Sequence, residues 1–279
     1  MSPTDPIRWP LEAIWQALEP SLAGFTCEVL PTIDSTNTEL MRRFKAGQLE
    51  PTLLVADQQS AGRGRLGRQW FSQRGDSLMF SLGMTLAPAD WSGLSLAVGV
   101  SLADSLDTAN APDQRIGLKW PNDLWLVQHQ KQRKLGGILV ETATFEGQRY
   151  VVIGVGINVR AVELTTPQSA SVAPGCLQDL QPGADLASTL LRVLPPLVQT
   201  LQAFGQVGFA PYQARFARRD VLAGCDVQLS DGTQGQARGV TESGALLVHT
   251  SAGMKEITSS EVSVRPVFGR APTGDLRPC

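Results

Sequence analysis

Seven residues carry the densest chemistry in the chain: Gly62-Arg63-Gly64-Arg65-Leu66-Gly67-Arg68. Three guanidinium groups alternate with three glycines. Arginine donors fit phosphate and carboxylate oxygens, and each charge-assisted hydrogen bond contributes roughly 1.5–3 kcal/mol net. Such a loop can fold over a polyphosphate; the plainer alternative is a solvated surface loop. The stretch also spells GxGxxG. A dinucleotide-binding turn needs a helix opening directly after the glycines. Here Gln69-Trp70-Phe71-Ser72 follows, then a turn at Arg74-Gly75-Asp76. No helix N-terminus is on offer, although Asp90 lies at a plausible distance for the acidic partner.

Three further segments could serve a site. Lys119-Trp120-Pro121-Asn122-Asp123 would face Asn122 and Asp123 toward a nucleotide, with the carboxylate near a magnesium ion. Read alone, the same residues are turn chemistry. Lys134-Leu135-Gly136-Gly137 puts a lysine at the mouth of an apolar strand, where glycines permit close approach to the backbone; an exposed strand-end lysine is the alternative. Tyr150 to Val159 (YVVIGVGINV) is either a tightly packed central strand or a floor for a flat ligand, ended by Asn158.

The elements that must position these residues read as α+β. A short helix places Leu11, Ile14, Trp15 and Leu18 on one face, and Pro20 stops it. A strand at 27–32 leads to a helix from Thr36, where Thr36 and Glu39 have capping-box spacing. Strands follow at 52–56 and 77–85, then a helix over 91–109. Strands at 116–120, 124–127, 136–142 and 150–154 cluster, with 128–133 (QHQKQR) as an exposed loop. Residues 184–204 and 207–218 form helices, the first broken or kinked by Pro195-Pro196. From Asp220 short strands alternate with turns such as Asp231-Gly232. The fold expected is a mixed, mostly antiparallel sheet with helices packed on one side, plus a small β-barrel. Residues 1–219 are expected to form the large domain, 220–267 the barrel, and 268–279 a disordered tail.

Composition narrows the partners. Lys+Arg 24 against Asp+Glu 26 gives a net charge of −2, which argues against a broad nucleic-acid footprint. The two histidines, His129 and His249, make a multi-histidine zinc site or a histidine-based triad improbable. Cys27, Cys176, Cys225 and Cys279 are far apart, so neither a CxxC site nor a disulfide framework is indicated. No apolar run approaches the ~18 residues of a membrane span, and MSPTDPIRWP lacks a signal-peptide pattern. A cytoplasmic protein that binds no membrane is expected.

In order and combination the segments resemble the biotin protein ligase family. The signatures are GRGRLGRQW (62–70), KWPNDLW (119–125), KLGGILVE (134–141) and GVGIN (154–158), with DSTN (34–37) upstream. The resemblance runs from about Pro31 to Pro266. It implies the family's class II synthetase-like catalytic fold and an SH3-like C-terminal domain. It also implies two reactions. The biotin carboxylate attacks the α-phosphate of ATP, giving biotinyl-5′-AMP and pyrophosphate. A lysine of a biotin carboxyl carrier protein then displaces AMP.

Carried over by motif position, Ser35, Thr36, Asn37 and Gln59 would hold biotin, the hydrogen bonds going to its ureido ring. Gly62 and Arg63 would close over it, with Arg63 near its carboxylate. Arg65 and Arg68 would reach the phosphates, and Lys134 would sit between carboxylate and α-phosphate. Arg65 and Lys134 are thus the implied catalytic residues. Gly136, Gly137 and Gly154 would let the biotin rings lie on backbone. Trp70 and Asn122 would hold adenine and ribose, Asn158 would meet the nucleotide, and Asp123 would contact Mg2+. Two departures stand out: the long 128–133 connection, and Ser260 where the family often has glycine. Residues 1–30 are too short for the winged helix of bifunctional members, so a ligase without repressor function is expected, as monomer or homodimer. The rival on the same fold is a lipoate ligase, whose glycine-rich motif has a nearby histidine; none lies near residues 62–68.

Overall fold

The computed structural model describes residues 7–109, 113–128, 131–162, 172–258 and 264–266. The expectations for Ser260, for the tail at 268–279 and for the tip of the 128–133 connection lie outside the described residues. A seven-stranded sheet forms the centre. Its strands are β1 (Thr26–Leu30), β2 (Thr52–Ala56), β3 (Ser77–Thr85), β4 (Ile116–Lys119), β5 (Asp123–Gln128), β6 (Lys131–Phe145) and β7 (Gln148–Asn158). The order is β1-β2-β3-β7-β6-β5-β4. β1 and β2 run parallel and every other pair antiparallel.

The alternation of strand side chains gives this sheet two different faces. Leu53, Val55, Leu78, Phe80, Leu82, Leu118, Leu124, Leu126, Val151, Ile153 and Val155 point into the main core. Helices α1 (Leu11–Leu18), α3 (Leu94–Leu106), α4 (Leu186–Val207) and α5 (Gln213–Arg219) cover that face. The helix α2 (Thr36–Lys45) lies on the other face, where Leu40 and Phe44 meet Leu54, Tyr150 and Val152. The helices are therefore not all on one side. α2 spans only part of its face and leaves the rest open. A smaller antiparallel sheet, order β11-β10-β9-β8-β12, follows: β8 (Asp226–Leu229), β9 (Gln234–Val240), β10 (Leu246–Thr250), β11 (Gly253–Ile257) and β12 (Val264–Pro266).

Several local expectations change. In α1 only Ile14 and Leu18 reach the core, while Leu11 and Trp15 are 44% and 52% exposed. The cap of α2 is Ser35, whose Oγ accepts from Thr38 N. Thr36 N donates to Gln59 Oε1 instead, and Glu39 pairs with Arg42 and Arg43, so no capping box forms at 36–39. Pro195 and Pro196 lie inside a continuous α4. Each proline removes one backbone hydrogen bond, and the burial of Val193, Leu194, Leu197 and Val198 offsets that loss. Most of the 128–133 connection is strand, because β5 reaches Gln128 and β6 starts at Lys131. Cys27 and Cys176 are free thiols, and Cys225 is disulfide-bonded, which the wide cysteine spacing did not indicate.

Candidate active site

The open half of the α2 face is a cavity of about 520 Å³. Its floor follows from period-two alternation. On β7, Tyr150 and Val152 lie under α2, and Gly154 and Gly156 continue the same face into the cavity. On β5 that face carries Asp123 and Trp125, and on β4 Lys119. On β6 it carries Gly137 and Leu139.

Lys134 would break this rule without one irregularity. Leu124 pairs with Gly136, but Trp125 pairs with Lys134, so Leu135 has no partner on β5. This one-residue bulge reverses the alternation. Leu135 turns into the core, fully buried. Lys134 turns into the cavity, and its Nζ sits 2.7 Å from Asp123 Oδ1.

The end of the cavity nearest β3 is polar and mostly uncharged. The buried Ser81 hydroxyl lies 2.7 Å from Thr36 Oγ1 and 2.6 Å from Asn37 Oδ1. Gln59 Oε1 accepts from Thr36 N at 2.8 Å, and Gln59 Nε2 points at Met79 Sδ, 3.4 Å away. Asn37 Nδ2 donates to Leu139 O and to Glu141 Oε2. Ser35 lies at the same end, at the N-terminus of α2.

The opposite end is cationic. Arg65, Arg68, Lys119, Lys134 and Arg265 line it, and Asp123 is the one carboxylate among the described lining residues. Burial pushes Arg65 below the ordinary arginine value; Asp123 opposes that shift and Arg68 adds to it. Lys119 is lowered for the same reason: burial first, with Asp123 opposing and Lys134, Arg68 and Arg265 adding.

The Gly/Arg segment is a tight hairpin across the cavity mouth. Trp70 N donates to Gly62 O and Gly64 N to Arg68 O. Leu66, at φ 55, and Gly67, at φ 70, make the left-handed tip. Arg63 pairs with Glu141 at 3.0 Å and donates to Thr38 Oγ1. Trp70 lies on the floor: a Cβ on Gly156 would meet its ring at 2.6 Å. Its indole Nε1 is buried without a hydrogen-bond partner.

Comparison with known proteins agrees with this geometry. The model of the Biotin/lipoate A/B protein ligase family matches residues 29–158, and that of the biotin protein ligase C-terminal domain matches 225–265. The bifunctional ligase/repressor BirA of Escherichia coli is 37% identical over 253 residues, covering 88% of this chain and 75% of that protein. The biotin–[acetyl-CoA-carboxylase] ligase of Mycobacterium tuberculosis is 31% identical over 278 residues, covering 94% and 98%. The chain belongs to the biotin protein ligase family. A solved biotin protein ligase from Aquifex aeolicus, in complex with biotin and ATP, superposes with a TM-score of 0.70 at 31% identity, over 87% of this chain and 99% of that one.

Of the residues that the family signatures single out, all line the cavity except Gly62, Gly136 and Asn158. Asn158 instead braces the floor from behind: its Nδ2 donates to Gly175 O, and its Oδ1 accepts from Ser77. The glycines are also explained differently. A Cβ on Gly154 would lie 2.1 Å from Asn37 Oδ1, one on Gly136 2.6 Å from Gly156 O, and one on Gly62 2.5 Å from Trp70 O. Each of them makes room for protein atoms. Arg63 is engaged by Glu141, and Asn122 by Ile138 O, with Arg65 3.5 Å from its Oδ1. Sequence reasoning gave no role to Lys119, Trp125, Ser81, Glu141 or Arg265. Period-two counting along β6 from Gly137 would have found Glu141, and along β5 from Asp123 it would have found Trp125; Lys119 and Ser81 follow only from the strand pairing.

Proposed function

We infer that the chain is an ATP-dependent biotin protein ligase. It activates biotin to biotinyl-5′-AMP, releases pyrophosphate, and transfers biotin to a lysine of a biotin carboxyl carrier protein. The observation that carries this reading is one continuous cavity with an uncharged hydrogen-bonding end and a cationic end that meet at Lys134. That division matches a substrate with a neutral ureido ring and a carboxylate that must approach a triphosphate.

The polar groups at Ser35, Thr36, Asn37 and Gln59 bind the ureido end. Lys134 stands where carboxylate and α-phosphate meet and neutralises charge that grows in the transition state. Arg65 and Arg68 supply further cations from the hairpin, which also keeps water from the anhydride. Trp70 and Asn122 offer an aromatic face and an amide beside the nucleotide. No enzyme nucleophile is needed: catalysis rests on positioning and charge stabilisation.

Mg2+ fits this donor set only in the manner usual for triphosphate sites. Among the described residues no group of three or more metal-ligating side chains occurs, so Asp123 and substrate phosphates would hold it. When bound, the ion supplies charge neutralisation on the phosphates. We assign the catalytic unit to residues 1–219 and the C-terminal domain to 220–267, and place the enzyme in the cytoplasm. None of the described helices is long and apolar enough to cross a membrane.

Parallel incubation with ATP, Mg2+ and either biotin or lipoate tests the reading. Adenylate should form with biotin. Adenylate with lipoate alone would replace this assignment with the lipoate alternative.

A further inference from the structure

Lys119 has no role in the reading above, yet its surroundings are unusual for a lysine. It ends β4, directly opposite Asp123 on β5. Asp123 in turn lies opposite Gly137 on β6 and bonds the Lys134 ammonium at 2.7 Å. The result is a row of Lys119, Asp123 and Lys134 on the cavity face of three adjacent strands. The Lys119 ammonium stands 5.1 Å from the centroid of the Trp125 ring, and both side chains line the cavity. Burial lowers its proton affinity; Asp123, opposite it, opposes that shift, and the like charges of Lys134, Arg68 and Arg265 add to it. A cation concentrated among cations is costly unless an anion arrives to share them.

The direction of the chemistry says which anion. In phosphoryl and nucleotidyl displacement the attacking and leaving oxygens lie roughly in line across phosphorus. The uncharged end, at Ser81, Thr36 and Asn37, lies on the β3 and β7 side of the sheet. Lys134 marks the middle, on β6. An attack arriving from β7 therefore expels its leaving group toward β5 and β4, where Lys119 waits.

We propose that Lys119 is a binding residue for the leaving pyrophosphate, holding the β- and γ-phosphates on the far side of the α-phosphorus from the acyl substrate. In the step itself a carboxylate oxygen forms the bond to the α-phosphorus. The bond from that phosphorus to the bridging oxygen breaks, and its electron pair leaves on pyrophosphate, whose charge Lys119 shares. This rests on the ligase reading and deepens it.

The two half-reactions separate the possibilities. The full-length protein and its Lys119→Gln and Lys119→Arg variants are assayed for biotin-dependent ATP–pyrophosphate exchange. They are also assayed for pyrophosphorolysis of biotinyl-AMP and for transfer from preformed biotinyl-AMP to a carrier protein. The expectation for Lys119→Gln is a rise of tenfold or more in the KM for pyrophosphate and a comparable fall in kcat/KM for ATP. Transfer, which involves no pyrophosphate, should change less than twofold, and Lys119→Arg should restore most of the pyrophosphate affinity. Unchanged pyrophosphate dependence overturns the proposal, as does an equal loss in both half-reactions, which marks a merely structural lysine. If the unaltered protein shows no biotin-dependent exchange, the ligase reading itself fails, and that is seen before any variant is compared.

Discussion

Lys134 stands at the boundary between the two chemistries of the cavity, and its removal should be felt in one step above all. Lys134→Ala is expected to abolish biotin-dependent ATP–pyrophosphate exchange while the circular dichroism spectrum and melting temperature stay near those of the parent. Exchange at close to the parental rate would remove it from the mechanism. Arg65 acts from the hairpin, half enclosed beside Asn122. If it anchors the phosphate of the bound adenylate, Arg65→Ala forfeits a charge-assisted bond of roughly 1.5–3 kcal/mol. Release of biotinyl-AMP in a chase experiment should then speed up by about tenfold or more. At this scale the sequence was informative where residue type alone limits the chemistry: guanidinium groups between glycines, a lysine before two glycines. For Asn158, Gly154 and Gly136 it did not show the packing that the structure adds, because a small or polar residue near a site can also serve the site's walls.

The elements explain why those walls tolerate so little change. β6 and β7 approach so closely at Gly136 that an added methyl would sit 2.6 Å from Gly156 O, which is backbone and cannot swing aside. Gly136→Ala should cost about 1–3 kcal/mol, the usual range for overpacking, read as a lower urea midpoint at unchanged slope. Gly154→Ala meets a movable side chain instead, the Asn37 amide. Its expected effect is a higher KM for biotin with the KM for ATP nearly unaltered. The hairpin over residues 62–70 is held by few backbone bonds and has a left-handed tip. Trypsin should cut it readily in the free protein and slowly with biotin and ATP together; equal cutting in both would deny it a closing role. Element existence was legible from apolar periodicity, as for β2, β3 and β7. The bulge at Leu135 was not, since a one-residue slip leaves no mark in composition and appears only when β5 and β6 are laid side by side.

For the whole molecule the interesting ground is the join between the two sheets. Trp120, from the segment that ends at Asp123, donates its indole N–H to Gly244 O in the turn between β9 and β10. Arg265, on β12, reaches the catalytic cavity. At the junction, Asp220 bridges to Leu118 of β4, and its Oδ2 is buried without a partner. Burial pushes its carboxyl from the ordinary 3.8 up to about 6. A group whose folded value is raised favours the folded state fully below its unfolded value, and that contribution is lost as pH climbs through 6. It amounts to at most about 3 kcal/mol. Asp220→Asn should therefore gain stability relative to the parent between pH 4.5 and pH 7.5, measured by urea unfolding at both. A difference that does not change with pH would mean the carboxyl titrates normally.

The sequence by itself determined the family, the α+β class and the motif segments from which most of the cavity lining comes, because motif order and residue type survive without coordinates. Net charge, by contrast, described only the average surface: a chain at −2 holds a site lined by six cations. What only the tertiary structure decided is where those groups point and what they already touch. Strand order put the neutral end on one side of Lys134 and Lys119 on the other. A single unpaired residue aimed Lys134 into the cavity, and the second sheet brought Arg265 to a site that lies more than a hundred residues away in sequence. Those are distances through space between segments remote along the chain, and no local pattern records them.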